Sequence, residues 1–216
     1  MGTISGTLSK YPDAAVVWVD AHADINTVTS TPSGNIHGMP VAFLMGLPST
    51  ETVPEFSWIK PGILKPHQIV YIGIRDADVG EKRIMREHGI KAFSMHEVDK
   101  YGIGKVMQMA LDHVNPHRDR PIHLSFDVDA LDPSVAPSTG TPVGTDIDSD
   151  YRSKHLLQVR GGLTFREGHY ICEAVADTGL LVGLDLVEVN PSLLDAVDVQ
   201  ATVSVGCSLV RSALGE

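Results

Sequence analysis

The chain has 216 residues, 43% hydrophobic and 20% charged, a composition that suits one globular domain with a buried core and excludes a disordered chain. Its 17 basic and 27 acidic residues give a formal charge of −10, so no basic surface for nucleic acid is predicted. Two cysteines and only short apolar runs exclude a disulfide scaffold and a membrane span, and without a signal-peptide pattern the sequence predicts a cytoplasmic protein.

Five short apolar runs, rich in β-branched residues, predict strands at Ala15–Val19, Ile69–Ile74, 90–93, 122–126 and 180–186. Each run is nearly continuous rather than alternating, as expected for parallel strands that are covered on both faces. Apolar residues at helical spacing predict helices at 80–88, 103–114, 167–177 and 199–213. Strands that alternate with helices in this way predict an α/β fold built on a parallel sheet.

Three of the predicted strands end in acidic residues. They are Asp20, His22 and Asp24 after the first strand, Asp127 and Asp129 after the 122–126 strand, and Asp185 and Glu188 at the 180–186 strand. Side chains spaced by two lie on one side of an extended chain, and parallel α/β sheets bind ligands at the carboxyl ends of their strands. We therefore expect these acidic ends to form one functional site.

The acidic ends favour a metal centre. Carboxylates this close together repel one another unless a cation neutralises them. Oxygen ligands with one imidazole and no thiolate suit Mn²⁺ or Mg²⁺ better than structural zinc, and four carboxylates indicate a pair of ions with bridging carboxylates. Taken singly, each aspartate is more typical of a helix cap or loop, but the two spaced patterns together favour ligands. Asp76 and Asp132 are interpreted as loop or cap residues.

Four stretches carry a resemblance to a known family. They are residues 19–24, Ser-Gly-Asn-Ile-His-Gly at 33–38, Ser-Phe-Asp-Val-Asp at 125–129 and Glu-Val-Asn-Pro at 188–191. Together they closely resemble the arginases of the ureohydrolase family. The resemblance implies a three-layer, doubly wound, mostly parallel sheet that lacks the first strands of the family. It also implies two Mn²⁺ ions per subunit, and hydrolysis of L-arginine to L-ornithine and urea by a metal-bridging hydroxide in a homotrimer.

The resemblance implies a role for individual residues as well. Asp20 and Asp127 match carboxylates that bridge both ions, Asp24 matches a ligand of one ion, and His22 and Asp129 match ligands of the other. As implied catalytic residues, His37 is the proton shuttle, Asp24 helps to orient the nucleophile, and Glu188 faces the substrate guanidinium. The implied contacts of the substrate's α-amino and α-carboxylate groups are Asn26, Ser33, Asn35, Asp78, Glu81 and Thr141, and Arg166 matches a residue of the trimer interface.

Two departures from the family pattern affect these expectations. In arginases, a Gly-Gly-Asp-His-Ser motif with a histidine ligand of the first ion directly precedes the segment that matches residues 2–6. The chain begins after that motif, so we expect this ion to be held weakly. Residues 143–158 form a polar insert beside Thr141, within what we interpret as one arginase-like domain over 1–216. A retained intron and a tolerated surface loop explain the insert equally well.

Two other functions are compatible with the sequence. An agmatinase-like guanidino hydrolase would not need to hold an α-carboxylate, and the pattern at Ser33 and Asn35 argues against it. An inactive ureohydrolase-like subunit or fragment is the second alternative. The presence of His22, His37 and Glu188 argues against the loss of function that this alternative assumes.

Overall fold

The computed structural model describes residues 1–140 and 159–216, which form five parallel strands in one sheet. The strands are β1 (Ala15–Val19), β2 (Ile69–Ile74), β3 (Lys91–Ser94), β4 (Ile122–Asp127) and β5 (Leu181–Val187). Their order across the sheet is β3-β2-β1-β4-β5. All five predicted strands are confirmed, with the bounds of β3, β4 and β5 differing by one residue at one or both ends. Thr141 and the predicted insert at 143–158 lie outside the described residues.

Helices cover both faces of the sheet. They are α1 (Gly2–Lys10), α2 (Pro40–Met45), α3 (Val79–Glu87), α4 (Met95–Tyr101), α5 (Ile103–Val114), α6 (Phe165–Ala176) and α7 (Ala196–Ala213). Residues of α1, α2 and α3 pack with Val16 and Trp18 in one core, whereas residues of α4 to α7 pack with Val17 and Val19 in the other. The expected three-layer, doubly wound α/β fold is therefore confirmed.

The continuous apolar runs of the sequence follow from this layering. Every residue of β1, β2 and β4 is buried, because consecutive side chains enter opposite cores and each core is closed by helices. The four predicted helices correspond to α3, α5, α6 and α7. Helices α1, α2 and α4 were not predicted. The last five residues of α2 are all buried, so it shows no amphipathic pattern. Within the described residues, none of the helices is long and apolar enough to span a membrane.

The strand order places a crevice between β1 and β4. The chain adds β2 and β3 on one side of β1 and then returns to add β4 and β5 on the other side. Strand connections that leave in opposite directions open a crevice at the carboxyl ends of the two strands between them, which is where open α/β sheets bind ligands. The acidic ends of β1 and β4 therefore lie at the expected position for a functional site.

Candidate metal centre and cleft

The carboxyl ends of β1 and β4 bring an imidazole and two carboxylates together. Asp20 and His22 follow β1, and Asp129 lies in the short 3-10 turn Val128–Ala130 that follows β4. His22 Nδ1 lies 3.0 Å from Asp129 Oδ2 and 3.5 Å from Asp20 Oδ1. One ligand atom from each of the three side chains lies within 4.8 Å of the other two, so together they could hold a metal ion.

Hydrogen bonds from N–H groups orient these carboxylates. Asp20 is buried and accepts from Trp18 Nε1 at 2.9 Å and from the backbone amide of His22 at 2.7 Å. Asp129 Oδ1 accepts from the backbone amide of Ala21 at 3.2 Å, which joins the turn after β4 to the end of β1. The oxygen atoms are thus oriented by the strand ends themselves, which are rigid elements of the fold.

Asp24 and Asp127 complete the acidic set. Asp127 is the last residue of β4, is buried, and accepts from the backbone amide of Asp129 at 2.8 Å. Asp24 has a backbone φ of 49°, a left-handed conformation that a non-glycine residue adopts at a cost. We infer that the surrounding loop contacts hold Asp24 in this conformation.

The electrostatics show an excess of negative charge at this site. Burial raises the pKa of Asp20 to about 7, with a further contribution from Asp129. Burial and the neighbouring Asp20 also raise the pKa of Asp24 and of Asp127 well above the usual value. Burial opposes protonation of His22, but the hydrogen bonds that its ring donates to Asp129 and Asp20, and their negative charge, raise its pKa to about 11. The site thus contains four carboxyl groups and only one imidazolium to balance their charge, which favours the binding of an added cation.

The donor set fits a divalent metal ion of the oxygen-preferring type. Carboxylate oxygens and one imidazole nitrogen line the base of the site, whereas Cys172 is buried in a core and Cys207 is exposed on α7. Ligands of this kind suit Mn²⁺ or Mg²⁺, and soft thiolate donors do not take part in the described site. A metal ion would offset the burial and the mutual repulsion that raise the pKa of Asp20, Asp24 and Asp127.

The loop between β1 and α2 places His37 at the same site. The backbone amide of Val41 donates to Asp24 O, and that of Asn26 donates to Gly38 O, each at 3.0 Å. These two bonds fold the loop back on itself and bring the 3-10 turn Ile36–Gly38 beside the acidic strand ends. His37 is exposed and lines the cleft, so its ring faces both solvent and the site.

Asn26, Asp78 and Glu81 form a hydrogen-bonded wall of the cleft. Asn26 Nδ2 donates to Asp78 Oδ2 at 2.8 Å, and Asn26 Oδ1 accepts from Ser30 Oγ at 2.8 Å. Glu81 is buried and accepts from the backbone amides of Ile25 and Asp78. Because Asp78 and Glu81 also cap the start of α3, one set of bonds fixes both the helix and the wall.

Most of the predicted site residues line one cleft of about 340 Å³. It is lined by His22, Asp24, Asn26, Ser33, Asn35, His37, Asp78, Glu81, Asp127, Asp129 and Glu188. Asp20 is buried at the metal centre below these residues, and Thr141 lies outside the described residues. Glu188 follows β5 with a φ of 64°, a left-handed conformation like that of Asp24.

Two charged residues that line the cleft were not predicted as part of the site. Arg75 lines the cleft, and Asp76 Oδ2 lies 3.7 Å from His22 Nε2. Both residues directly follow β2, and this position at the carboxyl end of a predicted strand is the sequence signal that they share. Asp76, interpreted from the sequence as a loop or cap residue, also lines the cleft. Asp132 accepts from the amides of Gly161 and Gly162, which confirms its interpretation as a loop residue.

Comparisons with known proteins agree with this geometry. The arginase family model matches residues 1–149 and 157–215. An arginase of Glaciozyma antarctica is 64% identical over 218 residues, which cover 100% of this chain and 58% of that protein. The crystal structure of a cold-adapted arginase from the same yeast superimposes with a TM-score of 0.79 and 58% identity over 100% of this chain and 65% of that one.

A more distant relative has been solved in complex with a ligand. Entamoeba histolytica arginase in complex with L-ornithine is 32% identical with a TM-score of 0.80, over 100% of this chain and 65% of that one. The chain therefore spans about two thirds or less of the proteins it matches, as the 58% share of the Glaciozyma relative also shows.

Proposed function

This chain belongs to the arginase family, and we propose that its protein hydrolyses the guanidinium group of L-arginine to give L-ornithine and urea. The observation that carries the proposal is the convergence of Asp20, His22 and Asp129 at the base of a cleft whose walls contain His37 and Glu188. The fold supplies a metal-binding base, a titratable group and an acceptor for a cation within one site. These are the parts that hydrolysis of a guanidinium group requires.

We propose Mn²⁺ as the cofactor, with two ions per subunit as the family resemblance implies. Asp20 and Asp127 would bridge the ions, Asp24 would bind one of them, and His22 and Asp129 would bind the other. The grouping of Asp20, His22 and Asp129 supports the second set of ligands. When bound, a pair of divalent ions lowers the pKa of water and stabilises negative charge that develops during hydrolysis.

The chain's own residues would position the substrate and move the proton. Glu188 accepts from the planar guanidinium, whose fixed N–H donors match a carboxylate. Asp24 accepts a proton or a hydrogen bond from the attacking water and orients it. His37 lies at the boundary between cleft and solvent, so its imidazole can carry a proton to the departing amine.

The wall of the cleft would recognise the amino-acid end of the substrate. Amide and hydroxyl donors of Asn26, Ser33 and Asn35 suit an α-carboxylate, whereas the carboxylates of Asp78 and Glu81 suit an α-ammonium group. Thr141 is proposed for the same end on the basis of the family resemblance. The ornithine complex of the Entamoeba arginase supports a product of this shape.

Urea release from Mn²⁺-loaded chain tests the proposal. We expect urea from L-arginine and little from agmatine, which lacks the α-carboxylate. Preferential cleavage of agmatine would contradict the substrate, and no urea from either with Mn²⁺ bound would favour a non-catalytic subunit. His37→Asn is the matched variant, because it should lower kcat by about 10²–10⁴-fold while Mn²⁺ binding is retained.

We also propose that the protein forms a homotrimer. Arg166 matches an interface residue of the family, and it is exposed on α6, where both guanidinium ends bind Glu173 at 2.6 and 2.7 Å. This bidentate ion pair keeps the Arg166 side chain in one orientation on the surface, where a second subunit could contact it. Light scattering on wild type and Arg166→Ala would test this, with a monomeric wild type contradicting the proposal.

A further inference from the structure

Arg75 bonds the turn that carries Asp129. It follows β2, and its side chain reaches across the sheet end to the turn after β4. Its Nη2 donates to Asp129 O at 2.6 Å and to Leu131 O at 3.2 Å, and its Nη1 donates to Ala130 O at 3.1 Å. Three consecutive carbonyl groups of the ligand turn are thus held by one guanidinium.

The backbone at Arg75 is hydrogen-bonded to the segment Asp20–His22, which carries the ligands after β1. The amides of Arg75 and Asp76 donate to Ala21 O at 2.9 and 3.0 Å. Ala21 stands between Asp20 and His22, and its own amide donates to Asp129 Oδ1. A single residue therefore connects the ligands after β1 with the ligand after β4.

The chemistry of these bonds depends on a guanidinium. Its planar fork presents several donors in fixed directions, whereas a lysine ammonium on the same strand end could satisfy only part of this set of carbonyls. The remaining donor, Nε, binds Val159 O at 2.8 Å, so the group also holds the segment that precedes α6. Charge-assisted bonds of this kind are stronger than neutral ones and keep the turn in one conformation.

We propose that Arg75 is a positioning residue of the metal centre: it fixes the Asp129 turn against the Asp20–His22 run, so that the ligands are arranged before metal binds. The inference rests on the proposed function, because it concerns the same metal centre. Groups that orient metal ligands without touching the ion commonly change metal affinity 10–100-fold when they are altered, roughly the range expected here.

Arg75→Lys in the full chain tests the inference. We expect Mn²⁺ to bind about 10–100-fold more weakly, measured from the electron paramagnetic resonance signal of free Mn²⁺. The visible absorption bands of the Co²⁺-loaded variant should shift, because the ligand geometry changes. Asp132→Ala is the matched control: it releases Gly161 and Gly162 beside the same turn but leaves the Arg75 bonds, and its Mn²⁺ affinity should equal that of wild type.

Three outcomes would overturn the inference while leaving the proposed function intact. They are wild-type Mn²⁺ affinity in Arg75→Lys, an equal loss of affinity in Asp132→Ala, and a lower unfolding temperature with unchanged affinity and spectrum. If instead the wild-type chain binds no Mn²⁺, the proposed function itself fails.

If Arg75→Lys does not fold, a measurement on the wild-type chain still tests the inference. In ¹⁵N-labelled, metal-free chain, the Nε–H of Arg75 should exchange slowly with solvent, because it is bonded before metal is added. The exposed Arg83 provides the reference for fast exchange. Exchange of Arg75 as fast as that of Arg83 would overturn the inference.

Discussion

Two clusters of acid and imidazole lie on this sheet, and they differ in how their charge is compensated. The ligand cluster (Asp20, His22, Asp24, Asp127 and Asp129) lies at the carboxyl ends of β1 and β4. The second cluster, which we call the β4–β5 pair, consists of His123 and Asp185, with Nε2 and Oδ2 3.0 Å apart. Each cluster contains an aspartate beside a histidine, but Asp20 is buried whereas Asp185 is half-buried.

The β4–β5 pair finds its partners within the chain. His123 is buried and its Nδ1 lies 2.8 Å from Thr7 Oγ1, while Asp185 accepts from Thr3 Oγ1 at 2.5 Å. Both threonines lie on α1, one turn apart. The network requires Gly183, because a Cβ there would lie 2.5 Å from His123 Nδ1.

The pKa of Asp185 is lowered, as is that of Asp129 beside His22, whereas the other three acids of the ligand cluster have raised pKa values. Burial opposes ionisation of Asp185, but hydrogen bonds from His123 and Thr3 lower its pKa below the usual value. In the ligand cluster, burial and neighbouring acids raise the pKa of Asp20, Asp24 and Asp127. An acid with partners of its own stabilises the fold, whereas several buried acids with only one imidazole between them indicate a site for a cation.

The largest expected effect comes from removing one charge of the ligand cluster. Asp127→Asn keeps the shape of the side chain and removes a ligand, so Mn²⁺ affinity should fall by more than about 100-fold. The metal-free variant should unfold at a higher temperature than wild type, because one repelling buried charge is gone. Titration with Mn²⁺ and thermal unfolding in EDTA measure the two effects, and Asp99→Asn at an exposed position of α4 is the control. A less stable metal-free variant would contradict the comparison.

Removing the charge of the β4–β5 pair should have the opposite effect on stability. Asp185→Asn replaces a charged acceptor of His123 and Thr3, and should lower the free energy of unfolding by about 1.5–3 kcal/mol. The loss should be the same in EDTA and in Mn²⁺, because the pair is not part of the metal centre. Thermal unfolding under both conditions measures it. A variant as stable as wild type would show that the pair contributes nothing.

The pH dependence of this difference follows from the pKa of Asp185. Since its pKa in the folded chain lies below the usual 3.8, its contribution is present above about pH 4 and is lost as the pH falls through the folded value. The unfolding temperatures of wild type and Asp185→Asn should therefore stay apart above about pH 4 and converge as the pH falls further, through the folded pKa of Asp185. A gap that stays constant over this range would mean that the stabilisation does not depend on the charge of Asp185.

The smallest expected effect comes from the hydroxyl groups of α1. Thr7→Val removes the contact with His123 Nδ1 and keeps the shape of the side chain, so it should cost about 0.5–1.5 kcal/mol. Thr3→Val is the matched variant at the exposed end of the same network and should cost less. Thermal unfolding ranks the two. The opposite ranking would show that the buried end is not the stabilising one.

Of the two clusters, the sequence predicted the ligand cluster but not the β4–β5 pair. Asp20, His22 and Asp24 are two residues apart after an apolar run, and this local pattern was enough to predict a ligand site. His123 carries no such signal, because it interrupts an apolar strand and its partners are 116 and 62 residues away. Arg75 was not predicted either, since its contacts with the 129–131 turn depend on β2 and β4 lying on either side of β1.

The sequence by itself determined the strands, the amphipathic helices, the family and the chemical types of the site residues, because hydrophobic period and motif spacing are local properties of the chain. Only the tertiary structure decided which acids share one site, that Asp185 has partners of its own, and that Arg75 bonds the ligand segments after both β1 and β4. Those outcomes depend on the order of the strands and on burial, which place residues far apart in the chain within hydrogen-bond distance.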